Sequence, residues 1–334
     1  MNADLHVSSQ DLMQEHVMQA NRITLLGGSG FVGRAICAQL AREGIPMQVL
    51  TRDLRHAREL MPLPRLSLVQ VESLDATALA THFHGSDVVI NLVGILNERA
   101  DDGRGFTRVH RDLTSSVIAA CAQADVRRYL HMSALNASPG APSHYLRSKG
   151  EAEALVEASG LDFTIFRPSV IFGRGDGLFG RFEQLLRFSP FLPLACAHAR
   201  FQPVFVGDVA AAFVAALAQP QTVRQRFDLG GPQVMTLQEI VQRVLVLRGW
   251  HRVVLPLGPM ASRVMAEVME HLPGKPFSRD NFRSASLDSV VPAGSPGLAA
   301  LGINATSVDS VLPGLLGYAN EAARHDRRRR SAGR

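Results

Sequence analysis

The sequence predicts a doubly wound parallel α/β sheet with a smaller C-terminal α/β lobe, and three observations carry that expectation. Residues 22–33 read RITLLGGSGFVG: an apolar, partly β-branched run, a glycine-rich turn, then a helical pattern over residues 34–42. Short apolar runs then alternate with helical stretches at short loops, as parallel strands with crossover helices require. Beyond Arg167 the alternation gives way to glycine- and phenylalanine-rich sequence.

Gly27, Gly30 and Gly33 are spaced G-x-x-G-x-x-G around Gly28, Ser29, Phe31 and Val32. Between a strand and a helix, such a turn lets backbone approach a pyrophosphate, which rests on the positive helix N-terminus. Residues 47–50 (MQVL) form the second strand, after a helix that ends near Gly44. A carboxylate just beyond that strand would bind the adenosine ribose hydroxyls and mark NAD. Here Thr51, Arg52, Asp53 and Arg55 follow. Arg52 suits a ribose 2′-phosphate, so NADP(H) is favoured over NAD(H); Asp53 sits one or two places late for the NAD role.

Residues 66–71 are a third strand and 75–84 a short helix. Residues 72–75 lie where an adenine edge would be held, or Asp75 is simply a helix cap. The fourth strand, 87–93 (DVVINLV), ends at Gly94, and 105–124 is a long helix. A fifth strand (127–133, RRYLHMS), a helix (143–159) stopped by Gly160, and a sixth strand (161–167, LDFTIFR) close the nucleotide domain. Beyond it come a glycine-rich loop at 173–180 and a helix bearing Phe179, Phe182 and Phe188. A short strand at 204–206 feeds a helix at 208–218; a strand at 226–229 precedes a helix capped by Thr236 that runs to Arg248. Residues 260–271 form an amphipathic helix with Met265 and Met269 one turn apart, and 273–305 is expected to be loop-dominated. The organisation expected is a mobile leader (1–20), a dinucleotide-binding domain (21–172), a smaller lobe (173–320) whose chain can re-enter the first domain, and a basic tail (321–334).

Composition narrows the function. Residues 324–334 (RHDRRRRSAGR) carry six Arg and one Asp, which accounts for the whole net charge of +5. A neutral body is not a nucleic-acid-binding fold. The tail reads as a solubilising terminus, with anionic lipid or RNA as the other candidate contact. Three widely spaced cysteines (Cys37, Cys121, Cys196) argue against a disulfide framework and for a reducing compartment. There is no zinc-like spacing, so no metal is expected. No apolar run reaches the ~18 residues of a membrane helix, and no signal peptide is evident. The expected location is the cytosol, at most peripheral on the inner membrane.

Tyr145 and Lys149 stand at i and i+4 near the start of a helix and share one face. A lysine beside a phenol lowers the phenol's pKa and makes it usable as a general acid or base. The chain has two lysines, Lys149 and Lys275, among 35 basic residues, so a lysine here is notable. Ser133, at the C-terminal end of a strand, would polarise a substrate carbonyl from the ligand-binding edge of the sheet. The bland alternative is an exposed helix face.

The G-x-x-G-x-x-G turn, N-L-V-G after the fourth strand, Ser133, Tyr145-x-x-x-Lys149 and Arg167-Pro168-Ser169-Val170 with Phe172-Gly173 together resemble an extended short-chain dehydrogenase/reductase, a Rossmann-type fold. The strings YLRSKGEAE, TIFRPSVIFGRGD, ARFQPVFVGDVA and LGGPQVMTLQEI resemble its atypical branch, typified by the NADPH-binding accessory subunit of respiratory complex I. The likeness spans about residues 22–320. It implies that Gly27, Gly30 and Gly33 hold the pyrophosphate and Arg52 the 2′-phosphate. It implies too that Val93 and Gly94 line the adenosine side and that Pro168, Ser169 and Val170 pass beside the nicotinamide. Ser133, Tyr145 and Lys149 would be the active-site triad, with Lys149 also anchoring the ribose. His110 stands where many relatives carry a relay asparagine, either as a packed residue or as a catalyst.

The resemblance implies an oxidoreductase for a carbonyl or alcohol, tied to respiratory-chain or ubiquinone metabolism and its protein complexes. A non-catalytic, NADPH-stabilised subunit or assembly factor and a sugar-nucleotide epimerase or dehydratase are the alternatives. Nine of the sixteen phenylalanines fall between Phe163 and Phe205. They suit an apolar substrate such as a prenylated quinone, or simply the core of the smaller lobe. The helix at 260–271 reads as core or lid, or as a face that docks on a membrane or a partner.

Overall fold

The computed structural model describes residues 22–316, apart from 274. The expected leader (1–20) and basic tail (321–334) lie outside the described residues.

Strands β1 (Ile23–Leu26), β2 (Met47–Thr51), β3 (Leu66–Gln70), β4 (Val88–Asn91), β5 (Arg128–Met132) and β6 (Asp162–Pro168) are joined by helices α1 (Phe31–Arg42), α2 (Ala76–Phe83), α3 (Leu113–Gln123) and α4 (His144–Ala158). They form one sheet in which every pairing is parallel. Its order runs 7-6-5-4-1-2-3, the seventh strand being a later segment. The chain reverses direction between β1 and β4, where such folds bind ligands at the carboxyl ends of the strands.

β1 is buried at every position because both faces of the sheet are covered. Leu25 packs with Ile36, Leu40, Val209 and Phe213 on one side. Leu26 packs with Leu79, Phe83, Val117 and Val156 on the other. The two-residue period of a strand puts neighbouring leucines in different cores, and each large apolar side chain so buried contributes about 1.5–3 kcal/mol.

Three expectations are corrected. β6 does not close the nucleotide domain: the strand expected at 226–229 runs Gln225–Leu229 and re-enters the sheet parallel to β6, matching Phe227 to Phe166. Its apolar residues Phe227 and Leu229 bury in the same core as β1, a partnership that alternation alone does not reveal. The long helix at 105–124 is interrupted by a π-helical turn, Thr107–Asp112, ahead of α3. α1 also starts three residues earlier than its apolar period, at Phe31. The stretch 273–305 is loop-dominated as expected, its regular structure being one capped helix, Arg279–Ala285, and a 3-10 turn, Leu298–Leu301.

The remaining elements are β7 (Ile171–Phe172), α5 (Phe179–Phe188), β8 (Phe191–Leu194), β9 (Arg200–Phe201), β10 (Val204–Phe205), α6 (Val206–Ala218), β11 (the seventh strand, Gln225–Leu229), β12 (Met235–Thr236), α7 (Leu237–Arg248), β13 (Val253–Pro256), α8 (Pro259–Met269) and α9 (Arg279–Ala285). Thr236 closes a capping box with Glu239 at the start of α7. Phe172, Phe179 and Leu186 share a separate core with Ile240, Val244 and Leu312. No helix among the described residues is long and apolar enough to cross a membrane.

Candidate functional site

The glycine turn is a cradle that side chains would fill. Gly27 has φ +78°, in the left-handed region, and a Cβ there would lie 3.0 Å from the Leu92 carbonyl carbon. A Cβ on Gly33 would fall 2.4 Å from the Gly27 oxygen, and one on Gly28 2.8 Å from Val49. The turn is closed by Gly30 N–H donating to the Gly27 carbonyl at 3.0 Å. Gly30 caps α1 with extended backbone and no side-chain hydrogen bond. The first N–H groups of α1, at Phe31, Val32 and Gly33, therefore face outward with the helix dipole behind them. That arrangement fits a pyrophosphate.

At the end of β2, Arg52 is exposed. Asp53 is committed elsewhere: it caps the 3-10 turn Leu54–Leu60 and pairs with Arg55 at 2.9 Å and His56 at 3.2 Å. Hydrogen bonds from Arg55 hold its carboxyl down at about 2. Asp75 likewise acts as a cap, accepting the Ala78 N–H at 2.8 Å, which settles its local role as the capping one.

Two of the candidate triad residues, Ser133 and Lys149, lie at the carboxyl edge of the sheet, after β5 and beside Gly94 at the end of β4. Ser133 directly follows β5, tied by its N–H to the Phe166 carbonyl at 2.8 Å. Its hydroxyl is buried without a hydrogen-bond partner among the described residues. An orphaned buried hydroxyl costs about 1–3 kcal/mol, and a carbonyl oxygen of a ligand would satisfy it. Lys149 reaches the same edge and donates to the Met132 carbonyl at 3.0 Å. A Cβ on Gly94 would sit 3.3 Å from Lys149 Nζ and 3.4 Å from His110 Nε2. Both side chains would have to shift by a few tenths of an ångström to admit a larger residue there.

Burial, rather than the tyrosine–lysine pairing, governs the charges here. It lowers Lys149 to about 8, partly offset by Glu153. It pushes Tyr145 up to about 12, the reverse of the lowering expected from the i, i+4 spacing. The physical reason is burial of the phenol itself; the lysine ammonium donates to the Met132 carbonyl. The Tyr145 ring stands edge-on to His110 and Phe106, with centroids 5.5 and 5.9 Å away.

His110 is a fixed, neutral residue of the π-helical turn. It accepts the Ile95 N–H on Nε2 at 3.1 Å, so its Nδ1 carries the proton that faces Ser148 Oγ at 2.8 Å. Ser148 in turn donates to the Tyr145 carbonyl at 2.9 Å. Burial and the nearby lysine hold His110 down at about 2. Val93 is held by Asn91, whose side chain accepts its N–H at 3.1 Å. Pro168 accepts the Leu135 N–H at 3.0 Å, and Val170 the Val204 N–H at 2.9 Å. The Ser169 hydroxyl donates to the Ser289 carbonyl at 2.6 Å.

The NAD(P)H-binding family matches residues 27–182. Mitochondrial NADH dehydrogenase (ubiquinone) 1 alpha subcomplex subunit 9 of Mus musculus is 30% identical over 296 residues, covering 86% of this chain and 77% of that protein. The chain belongs to the subunit 9 family, within the extended short-chain dehydrogenase/reductases. Another relative of this member is a ceramide reductase of Caulobacter vibrioides, 33% identical over 206 residues, 59% of this chain and 61% of that one. In fold it is like an NADPH-dependent quinone oxidoreductase of Escherichia coli solved with NADPH, at TM-score 0.68 and 16% identity, covering 86% and 98% of the two chains.

Two contributors in this family member escaped sequence reasoning. Arg34, immediately after the third glycine, leans over the cradle: Nη1 donates to the Ser29 carbonyl at 3.4 Å, and Nη2 would lie 3.4 Å from a Cβ on Gly175. Its adjacency to the motif was the available signal. Asp280 on α9 accepts the His144 and Tyr145 N–H groups at 2.7 and 3.0 Å. That contact spans 135 positions, and no local pattern announces it. Asp101, His144 and Asp280 place ligand atoms within 4.8 Å of one another. Their carboxylates are, however, spent on Arg279, Arg283 and the helix end.

Proposed function

We propose that this chain binds NADP(H) and acts as a carbonyl or alcohol oxidoreductase on an apolar substrate, linked to quinone or respiratory-chain chemistry. The observation that carries this reading is one edge of the sheet shared by a phosphate cradle and the buried, unsatisfied hydroxyl of Ser133 beside Lys149. Gly27 to Gly33 would hold the pyrophosphate and Val93 with Gly94 the adenosine side. Pro168, Ser169 and Val170 would flank the nicotinamide. Arg52, with Arg34 nearby on the cradle, supports the 2′-phosphate form, because Asp53 is withdrawn into an ion pair. The bound nicotinamide would supply a hydride to the carbonyl carbon. Ser133 would donate a hydrogen bond to the carbonyl oxygen, and Tyr145 would deliver the proton that completes the alcohol. Lys149 would orient the ribose and favour the tyrosinate left behind. Residues 173–320 would supply the substrate or partner surface. The name of one relative, a ceramide reductase, is consistent with an apolar carbonyl substrate.

A second reading is favoured by a specific observation. Tyr145 is pushed up to about 12, and Leu287 packs with it over Ala134 and Leu146. A phenol partly covered by Leu287 and held protonated in this way would suit a non-catalytic, NADPH-stabilised subunit or assembly factor of a respiratory complex. The test starts with protein purified without added nucleotide, from which any released dinucleotide is identified. The emptied chain is then titrated with NADPH and NADH and assayed with quinones and lipid ketones. Turnover that Tyr145→Phe abolishes while sparing cofactor affinity supports the enzyme. Tightly retained NADPH that no carbonyl or quinone oxidises supports the structural subunit.

A further inference from the structure

The described chain is unevenly greasy on its outside. Of fourteen large apolar residues that stand exposed, nine fall in two short stretches: Leu185, Phe188 and Phe191, then Val253, Leu255, Met260, Val264, Val268 and Leu272. Met260, Val264, Val268 and Leu272 recur every fourth residue, which aligns them along one face of α8 and its continuation. Met260 is 83%, Val264 56% and Val268 60% exposed. With Ala261, Met265 and Met269 they make an open, almost wholly apolar surface along the helix. The opposite face of α8 buries Ser262 and Ala266, so the helix is anchored to the body and offers its other side outward.

The strand pair continues this surface. Phe191 is in register with Val253 on β8 and β13, and both are exposed. The pair is fastened to α8, since Cys196, just after β8, donates its N–H to Ser262 Oγ at 3.2 Å. Exposed apolar side chains clustered to this degree mark an interaction site rather than ordinary surface.

The charges say what it meets. Arg181, Arg187 and Arg263 are exposed and Arg252 partly so. The Arg187 guanidinium lies 5.6 Å from the Phe188 ring centre and Arg252 6.0 Å from that of Trp250. Of the acids in these stretches, Glu183 is paired with Arg248 and Glu270 with Arg279, leaving Glu267 against four arginines. Aromatic and arginine side chains around an apolar strip match the boundary between acyl chains and anionic headgroups. Residues 324–334 add a separate cluster of net charge +5. An apolar face and a polybasic segment are the two signals that stable membrane attachment requires.

We propose that α8 and the adjoining β8–β13 strip form a docking face for the surface of an anionic lipid bilayer. The helix lies in the plane of the headgroups, and Met260, Val264 and Val268 enter the acyl boundary. Cofactor binding plays no part in this contact, so the two readings fail separately.

The test is co-sedimentation of the full chain with vesicles of phosphatidylcholine, with and without phosphatidylglycerol. The expected result is binding to the anionic vesicles that weakens as salt rises. The triple variant Met260→Ser, Val264→Ser, Val268→Ser should bind at least about tenfold more weakly. These positions are exposed, so that variant should keep the native thermal midpoint and nucleotide affinity, which excludes misfolding as the cause. No binding to either vesicle overturns the proposal. So does undiminished binding by the triple variant, even if deletion of 324–334 abolishes it. A dimer that the triple variant converts to monomer, without vesicle binding, assigns the face to a second copy and overturns it equally.

Discussion

The Asp280 carboxylate accepts the backbone N–H of Tyr145 at 3.0 Å and that of His144 at 2.7 Å. With Ser143 accepting the Leu146 N–H at 3.1 Å, the first turn of α4 has its open donors satisfied. A buried negative charge at the positive end of a helix also gains from the dipole. The helix that carries Tyr145 and Lys149 is thus positioned from α9, far along the chain. Asp280→Asn replaces one acceptor by an amide donor and removes the charge. It should lower stability by about 2 kcal/mol, read from urea unfolding; an unchanged midpoint would show that Ser143 alone suffices.

Gly33 tests the cradle. Its missing Cβ would lie 2.4 Å from the Gly27 oxygen and 2.6 Å from the Gly28 carbonyl carbon, and backbone cannot yield as a side-chain tip can. Gly33→Ala should therefore push the turn away from α1 and weaken dinucleotide binding at least about tenfold. Fluorescence titration with NADPH measures it, and native affinity would remove this turn from the cofactor site.

Arg52 tests the choice of nucleotide. A charge-assisted contact to a phosphate is worth about 1.5–3 kcal/mol. Arg52→Ala should weaken NADPH binding about tenfold or more while NADH changes by no more than about twofold. Parallel losses for both nucleotides would mean that Arg52 does not touch the 2′-phosphate.

Lys149 imposes a pH dependence on stability. Burial lowers it from 10.5 in the open chain to about 8, so between those values the unfolded state binds more protons than the folded one. Stability therefore rises with pH in that window. The cost of burying the charged lysine is fully present below pH 8 and is relieved above it. From pH 8 to 10 the gain is about 2 kcal/mol. Above pH 10 the raised Tyr145 acts in the opposite sense, since the unfolded phenol then ionises first. Urea unfolding across pH 8–10 should show the rise in the native chain and not in Lys149→Met. Equal slopes would place the ammonium in water rather than against Met132.

The sequence by itself determined the alternating strands and helices, the glycine turn and the i, i+4 placement of Tyr145 and Lys149. These depend on neighbours within a few residues: β-branched runs favour strands, glycine frees the Gly27 turn, and Thr236 and Asp75 cap their own helices. Tertiary structure decided what depends on distant chain. It brought β11 beside β6 and set Asp280 on the start of α4. It turned Lys149 onto the Met132 carbonyl. Helical spacing placed the lysine and the tyrosine on one face correctly, yet the sign of the tyrosine's shift came out reversed. Spacing fixes which side chains share a face, whereas burial and the nearest acceptor fix their charges, and both are properties of the packed chain.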